Sequence, residues 1–525
     1  MALTLASAAA LLKEHHLLRE IIQGDVWTDD PVRIAGADTP FADITYDTRT
    51  VAHGTLLCCK GNFKAEYLNG IDSKGLAAWV AEADYSSATA APGLIVNDAR
   101  RAMSLLSAQF YGRPQDELTV IGITGTKGKT TTAYFTQAML NAVSGGKAAL
   151  FSSVDNCLDG HTYKESDLTT PESMDAFRMM RQAADNGMKY LVMEVSSQAY
   201  KVDRVYGLTF DVAAFLNISP DHISAIEHPS FEDYLYCKRQ IIANAKSLVM
   251  GADSAHADLL REDATAAGIP VASFALHDDK DLGTAADVTM HPIDQEHTDF
   301  RATVAGVNVG DIHLALDGDF NYLNAAAAIA ITRAAGAAFS ADNVASDISQ
   351  LALHAIEPVR IAGRMEQFQD PKSNTLAIVD YAHNYASVTA LLDFVYERYG
   401  SRNPRITLLT GSAGNKAYDR RPEIVRAAQD RIEHFVFTAE DTDTEPFIDI
   451  CMEMKSYVTN PNVTSTVIDD RPAAITNAIY DARAHADRFN VILLIGKGDE
   501  RWIKSHHAHV PFEGDDRIVE RMFAE

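Results

Sequence analysis

The spacing of apolar positions predicts the elements of this chain. From Met1 to Ile22, leucines fall at helix spacing among charged residues, and no basic segment precedes them. That pattern predicts an amphipathic first helix rather than a leader peptide. Apolar runs at 56–59, 93–96, 118–123, 190–193 and 212–216 predict buried strands, and 102–110 predicts a helix. The alanine-rich stretch 324–338 predicts a tightly packed helix. Beyond residue 359, strand patterns at 376–379, 406–410, 434–438, 464–468 and 491–495 alternate with helical ones. Pro422 and Pro472 sit there like first-turn prolines. Such alternation implies an α/β fold with a doubly wound, mostly parallel sheet. Turn-rich Tyr111-Gly112-Arg113-Pro114 and Glu357-Pro358 divide the chain into blocks 1–114, 115–358 and 359–525.

Charge narrows the function classes. The 525 residues carry 46 Lys plus Arg against 72 Asp plus Glu, a formal net charge of −26. That balance argues against nucleic acid or an anionic membrane as partner. Small anionic ligands remain possible, because a basic pocket can sit inside an acidic shell. No apolar run approaches the roughly 18 residues needed to cross a bilayer. Five cysteines without metal spacing fit a reducing cytoplasm.

The most specific local signal is a β-branched strand running into Gly125-Thr126-Lys127-Gly128-Lys129-Thr130-Thr131 and then a helix. The glycines let backbone N–H groups converge on phosphate oxygens at a helix N-terminus. Lys129 would reach the β- and γ-phosphates, and the Thr130 hydroxyl would bind Mg²⁺. The common pattern would place a glycine at position 123. Ile123 stands there, and Gly122 lies one residue earlier.

This loop, with Thr169-Thr170-Pro171, Glu194-Val-Ser196-Ser197-Gln198, Asn217-Ile-Ser-Pro-Asp221-His222 and Lys238-Arg239, resembles the Mur ligases. Phe320-Asn321-Tyr-Leu-Asn324, Gly363-Arg364-Met365-Glu366, Asp380-Tyr381-Ala-His383, Asp470-Arg471-Pro and Gly496-Lys497-Gly498-Asp499-Glu500 follow in family order. The resemblance spans nearly the whole chain. It is nearest the branch adding the third amino acid of the peptidoglycan stem peptide. It implies three domains: an N-terminal one for the UDP end, a central P-loop ATPase and a C-terminal Rossmann-like domain. It further implies a cytoplasmic, monomeric ligase in which ATP activates a carboxylate of a UDP-N-acetylmuramoyl dipeptide as an acyl phosphate. A free amine then attacks.

Carried over by resemblance, Thr130, Glu194, His222 and a CO₂-carbamylated Lys238 are Mg²⁺ ligands. Lys129 and Arg364 stabilise phosphoryl charge. Asn321, Asn324 and Asp380 hold the nucleoside. Thr48, Thr169, Thr170, Ser196 and Arg204 hold the UDP substrate. Lys416, Asp441, Asp443, Gly496 and Glu500 face the incoming amino acid. Relatives that add meso-diaminopimelate carry Asp-Asn-Pro-Arg, and Asp443 stands at the place of that arginine. A distal carboxylate would meet like charge there, whereas a distal ammonium would not. L-lysine is therefore expected, with L-ornithine next. Ligation with meso-diaminopimelate, another amide ligase of the superfamily, or a nucleotide-driven switch are the alternatives.

Overall fold

The computed structural model describes residues 2–224, 227–276, 286–295, 297–370 and 372–525. The leucines at the N-terminus form a helix only over Leu5–Glu14. His16 then takes φ +56, and Leu18–Gln23 pairs as a strand with Gly93–Val96. The expected long first helix is thus a helix and a strand. The Arg-Glu-Ile-Ile run finds its burial in a sheet. That first sheet runs Val26–Thr28, Leu18–Gln23, Gly93–Val96, Ala78–Ala81, Thr55–Cys58, Asp43–Thr45 in space.

Among the described residues, the central sheet has eleven strands. Its parallel part runs Ala148–Phe151, Tyr190–Glu194, Thr119–Thr124, Val212–Phe215, Leu248–Gly251, Val271–Leu276, Val288–Pro292. These strands are apolar because both faces are covered. Helix Lys129–Ser144 packs against helix Asp319–Ala334, whose Ala325 to Ala328 are fully buried. Gly122 is a packing glycine, since a Cβ there would lie 2.6 Å from the Phe210 ring. Chain order reverses at Thr119–Thr124, which lies between Tyr190–Glu194 and Val212–Phe215. Ligand crevices of open α/β sheets form at such a switch point, beyond the carboxyl ends of the strands.

The third sheet runs Glu366–Asp370, Thr375–Asp380, Asn490–Ile495, Arg405–Thr410, His434–Phe437, Thr464–Val467. All its pairings are parallel except that of the edge strand Glu366–Asp370. Its helices cover both faces, as the alternating pattern requires. Arg471 and Asp515, both fully buried, pair at 2.6 Å and pin its last helices together. Among the described residues, no helix is long and apolar enough to cross a membrane.

Candidate active site

Three segments meet at the carboxyl edge of the central sheet because their strands are neighbours: Gly125–Lys129, Glu194 and 216–222. Gly128 takes φ +82, and a side chain there would collide with Asn324 Oδ1. Glycine therefore lets Asn324 lie against the phosphate loop. Asn324 Oδ1 accepts from Thr132 Oγ1 at 3.4 Å, and its Nδ2 donates to Asn321 Oδ1 at 3.3 Å. Lys129 Nζ donates to the carbonyls of Gly125 and Thr126 at 3.0 and 3.3 Å. Lys238 Nζ donates to the same Gly125 carbonyl at 2.8 Å. Burial lowers both lysine pKa values, that of Lys238 well down, with Lys129 adding to its drop. Thr131 is buried in the first turn of the helix.

Thr130 Oγ1 lies 3.0 Å from Ser153 Oγ. The Ser153 N–H donates to Glu194 Oε1 at 2.9 Å, while Glu194 Oε2 is buried without a partner. This orphaned oxygen near two hydroxyls fits Mg²⁺, a hard cation that takes oxygen donors. His222 takes φ +58 and turns Nδ1 to Glu227 Oε1 at 3.3 Å. Its ring and the Lys238 amine both neighbour Tyr234, at 6.0 Å between centroids and 4.9 Å from Nζ to the ring. His228, fully buried, bridges Asp233 at 2.6 Å and Ser197 Oγ at 2.9 Å. It ties the His222 segment to the segment after Glu194 and to the helix of Lys238.

Arg364 stacks on the Tyr381 ring at 4.4 Å, and its charge helps to lower the Lys129 pKa. Asp380 accepts from the Met365 and Ala382 N–H groups at 3.0 and 2.8 Å. Its carboxylate thus clips the Arg364 loop in place. Lys127 Nζ leaves the phosphate loop for His383 Nε2 at 3.0 Å and Asp221 Oδ2 at 3.5 Å.

The third sheet presents a second carboxyl edge. Asp441 accepts from Lys497 Nζ at 2.8 Å, and Lys497 also pairs with Glu500. Tyr381 Oη donates to Glu500 at 3.2 Å. Burial pushes the Glu500 carboxyl up to about 7. Burial, then Asp441, raises that of the buried Glu440, and burial raises that of Asp499. Gly496, at φ +97, admits Glu440: a Cβ would lie 2.6 Å from Oε2. Asp443 is engaged elsewhere. It accepts from the His507 N–H at 2.7 Å and pairs with Lys504 at 3.1 Å, both in the hairpin Trp502–Pro511. Lys416 is half-buried in the loop before Arg420, and its charge helps to lower the Glu227 pKa.

On the N-terminal side, Arg204 pairs with Glu172 at 3.0 Å and donates to the Thr170 carbonyl at 3.2 Å. Glu172 also pairs with Lys60, and these two cations hold its carboxyl below the ordinary range despite burial. The Thr170 hydroxyl is buried, donating to the Glu194 carbonyl at 2.9 Å and accepting from the Ser196 N–H at 3.0 Å. Thr169 is half-buried beside it. Thr48 lines a separate cavity of about 360 Å³ with Tyr46, Arg49, Lys60, Phe63 and Tyr67. Reading the sequence alone misses Ser153, Glu172, Glu440, Lys497 and Arg420 as site residues. The usable signal for Ser153, Glu440 and Lys497 is their place just beyond a strand's carboxyl end.

Comparison with known proteins decides the family. The Mur ligase middle domain matches residues 123–332, and the Mur ligase glutamate ligase domain matches 363–498. A UDP-N-acetylmuramyl-tripeptide synthetase of Bifidobacterium longum (strain NCC 2705) is 79% identical over 523 residues, covering 100% of both chains. The chain belongs to the Mur ligase family. A UDP-N-acetylmuramoyl-L-alanyl-D-glutamate–L-lysine ligase of Enterococcus faecalis (strain ATCC 700802 / V583) is 38% identical, covering 99% of each. A solved 2,6-diaminopimelate ligase shares the Mur ligase fold at TM-score 0.63 and 20% identity, covering 100% of this chain and 99% of that one. MurF from Acinetobacter baumannii also has TM-score 0.63, at 17% identity, covering 99% and 98%. The three-sheet α/β architecture described above is thus that of a Mur ligase, an ATP-dependent ligase family.

Proposed function

We propose that this Mur ligase adds a diamino acid, L-lysine in preference to L-ornithine, to UDP-N-acetylmuramoyl-L-Ala-D-Glu at the expense of ATP. The observation that carries this reading is the opposition of two carboxyl edges. One gathers buried and half-buried cations around a phosphate loop, and the other gathers buried and half-buried carboxylates. The name of the Enterococcus faecalis relative supports lysine. The reading assigns residues 1–114 to the UDP end, 115–358 to ATP and 359–525 to the amino acid. Five free, buried cysteines agree with a reducing cytoplasm.

In this reading Lys129 and the loop N–H groups hold the β- and γ-phosphates, and Arg364 neutralises charge on the transferring group. Thr130 and Glu194 would hold Mg²⁺, which supplies Lewis-acid stabilisation of phosphoryl oxygens. The buried amine of Lys238, short of protons, is suited to react with CO₂ as a carbamate. Glu172 holds Lys60 and Arg204, the two cations offered to the substrate's carboxylates. Glu440, Asp441 and Glu500 receive the ammonium groups of the amino acid. One of its amines, deprotonated, attacks the acyl phosphate carbonyl, and phosphate leaves.

The test is phosphate release by purified protein with ATP, Mg²⁺ and the UDP-dipeptide. Release on adding L-lysine, with meso-diaminopimelate near background, is the expected result. Preference for meso-diaminopimelate overturns the amino-acid assignment. No turnover with any diamino acid overturns the ligase reading at this level.

A further inference from the structure

Asp221 is 1% exposed, yet it is contacted from both the central and the third sheet. Its Oδ1 accepts from Arg420 at 2.8 Å and from the His222 N–H at 2.9 Å. Its Oδ2 accepts from Asn384 Nδ2 at 3.1 Å and lies 3.5 Å from Lys127 Nζ and 3.7 Å from His383 Nε2. Burial alone would raise its pKa, but Lys127, His383 and Arg420 hold it well below the ordinary carboxylate value. It is therefore a buried anion satisfied from both sides of the cleft.

Each side leads to a different site. Toward the nucleotide, the segment of Asp221 grips the phosphate-loop backbone. Asn217 accepts from the Lys127 N–H at 2.9 Å and donates to its carbonyl at 3.1 Å. The Thr126 N–H donates to the Asn217 carbonyl at 3.1 Å, and the Ser219 N–H donates to Thr126 Oγ1 at 3.0 Å. Toward the amino acid, Arg420 begins the helix that follows the Lys416 loop, and its charge reaches Glu440. Asn384 caps the helix Tyr385–Tyr399 directly after the segment whose Tyr381 holds Glu500.

We propose that Asp221 is a positioning residue that couples the two sites: nucleotide on the phosphate loop orders the 411–420 loop through Asp221, Arg420 and Asn384. A shift of the loop at Thr126 and Lys127 must move the Asn217–Asp221 segment, which is hydrogen-bonded to it at five points. Asp221 cannot follow that shift alone. Removing it from Arg420 leaves a largely buried guanidinium short of its partner, an unfavourable state. The two arrangements are therefore linked, and by reciprocity ordering of 411–420 favours nucleotide.

The proposal rests on the reading of the loop as a nucleotide site, and its test uses ADP with Mg²⁺ alone. Hydrogen exchange is measured on the full chain with and without ADP. In the wild type, ADP slows exchange both at 125–132 and, by about fivefold or more, at 411–420. In Asp221→Asn, protection at 125–132 persists and protection at 411–420 is lost. Arg420→Gln and Asn384→Ala cut the same link from the other side. They give the same split even if Asp221→Asn folds poorly. Remote protection that survives in these two variants, or that is absent in the wild type, overturns the proposal. Loss of lysine turnover in the ligation assay leaves this result unaffected, so the two readings fail separately.

Discussion

The central and third sheets end in crevices of the same construction and opposite charge. In the central crevice Lys238 is buried and Lys127 and Lys129 are half-buried, and burial lowers all three pKa values, that of Lys127 to about 8. Asp221 and Glu194 offset only part of that effect. In the third-sheet crevice Glu440, Asp499 and Glu500 are pushed upward. Lys497 beside Glu440 and Glu500, and Arg364 beside Asp499, offset only part of the effect of burial. Topology places a crevice beyond the carboxyl end of each sheet, but it does not decide what binds there. The sign of the local charge deficit does. In the proposed reading one crevice takes the phosphates of ATP and the other an ammonium, so that the acyl phosphate and the amine meet between them.

The strongest way to break the comparison is at the cationic crevice. Lys238→Ala is expected to lower turnover on the order of 10³-fold, since it removes a buried charge-bearing group beside the phosphate loop. Partial rescue by short carboxylates identifies the working group as a carbamate. Wild-type rates in this variant would remove Lys238 from the mechanism. The next largest effect lies in the acidic crevice. Glu440→Gln keeps the shape but not the charge, and should raise the KM for lysine about 30-fold or more, as for a buried charge pair losing one member. An unchanged KM would show that Glu440 does not face the ammonium.

How much of this was legible in the sequence follows from which features are local. The strand Thr119–Thr124, its loop and the helix from Lys129 are contiguous, so period and glycines revealed them together. The same holds for Glu194 and Asp380, each the last residue of a buried strand. The acids at 440, 441 and 443 were not separable from sequence, because their directions depend on partners far along the chain. Gly496 admits Glu440, while the hairpin at 502–511 turns Asp443 away. Arg204 was legible as a cation, but Glu172 as its partner was not; nor was the meeting of residues 127, 221, 383 and 420. The first helix was overextended because Leu17, Ile21 and Ile22 fit a helical stripe as well as a strand. Pairing with the strands Gly93–Val96 and Val26–Thr28 decides between them.

A smaller effect comes from pH. Glu500 is held up to about 7, chiefly by burial. It binds a cation only when ionised, so the KM for lysine should fall as pH rises from 6 to 8, by at most about tenfold per pH unit below 7. The linked stability runs the other way. A carboxyl raised above its unfolded value stabilises below about 4.5, and that contribution is lost as pH rises through about 7. Glu500→Gln should flatten both profiles, read by steady-state kinetics and thermal melts. A KM that is independent of pH would detach Glu500 from the ammonium.

The smallest effect should be that of Asp443→Asn. Asp443 takes φ +50, a left-handed conformation that asparagine tolerates as well as aspartate does. An asparagine carbonyl can still accept from the His507 N–H, and the Asp443 N–H still donates to the Lys504 carbonyl at 3.0 Å. Only the ion pairs with Lys504 and His507 are lost, and both of those partners are 40% or more exposed. Such pairs contribute about 0–1 kcal/mol. The KM for lysine should therefore stay within about threefold. A tenfold rise would mean that the ammonium reaches Asp443 and that the acidic crevice extends to the hairpin.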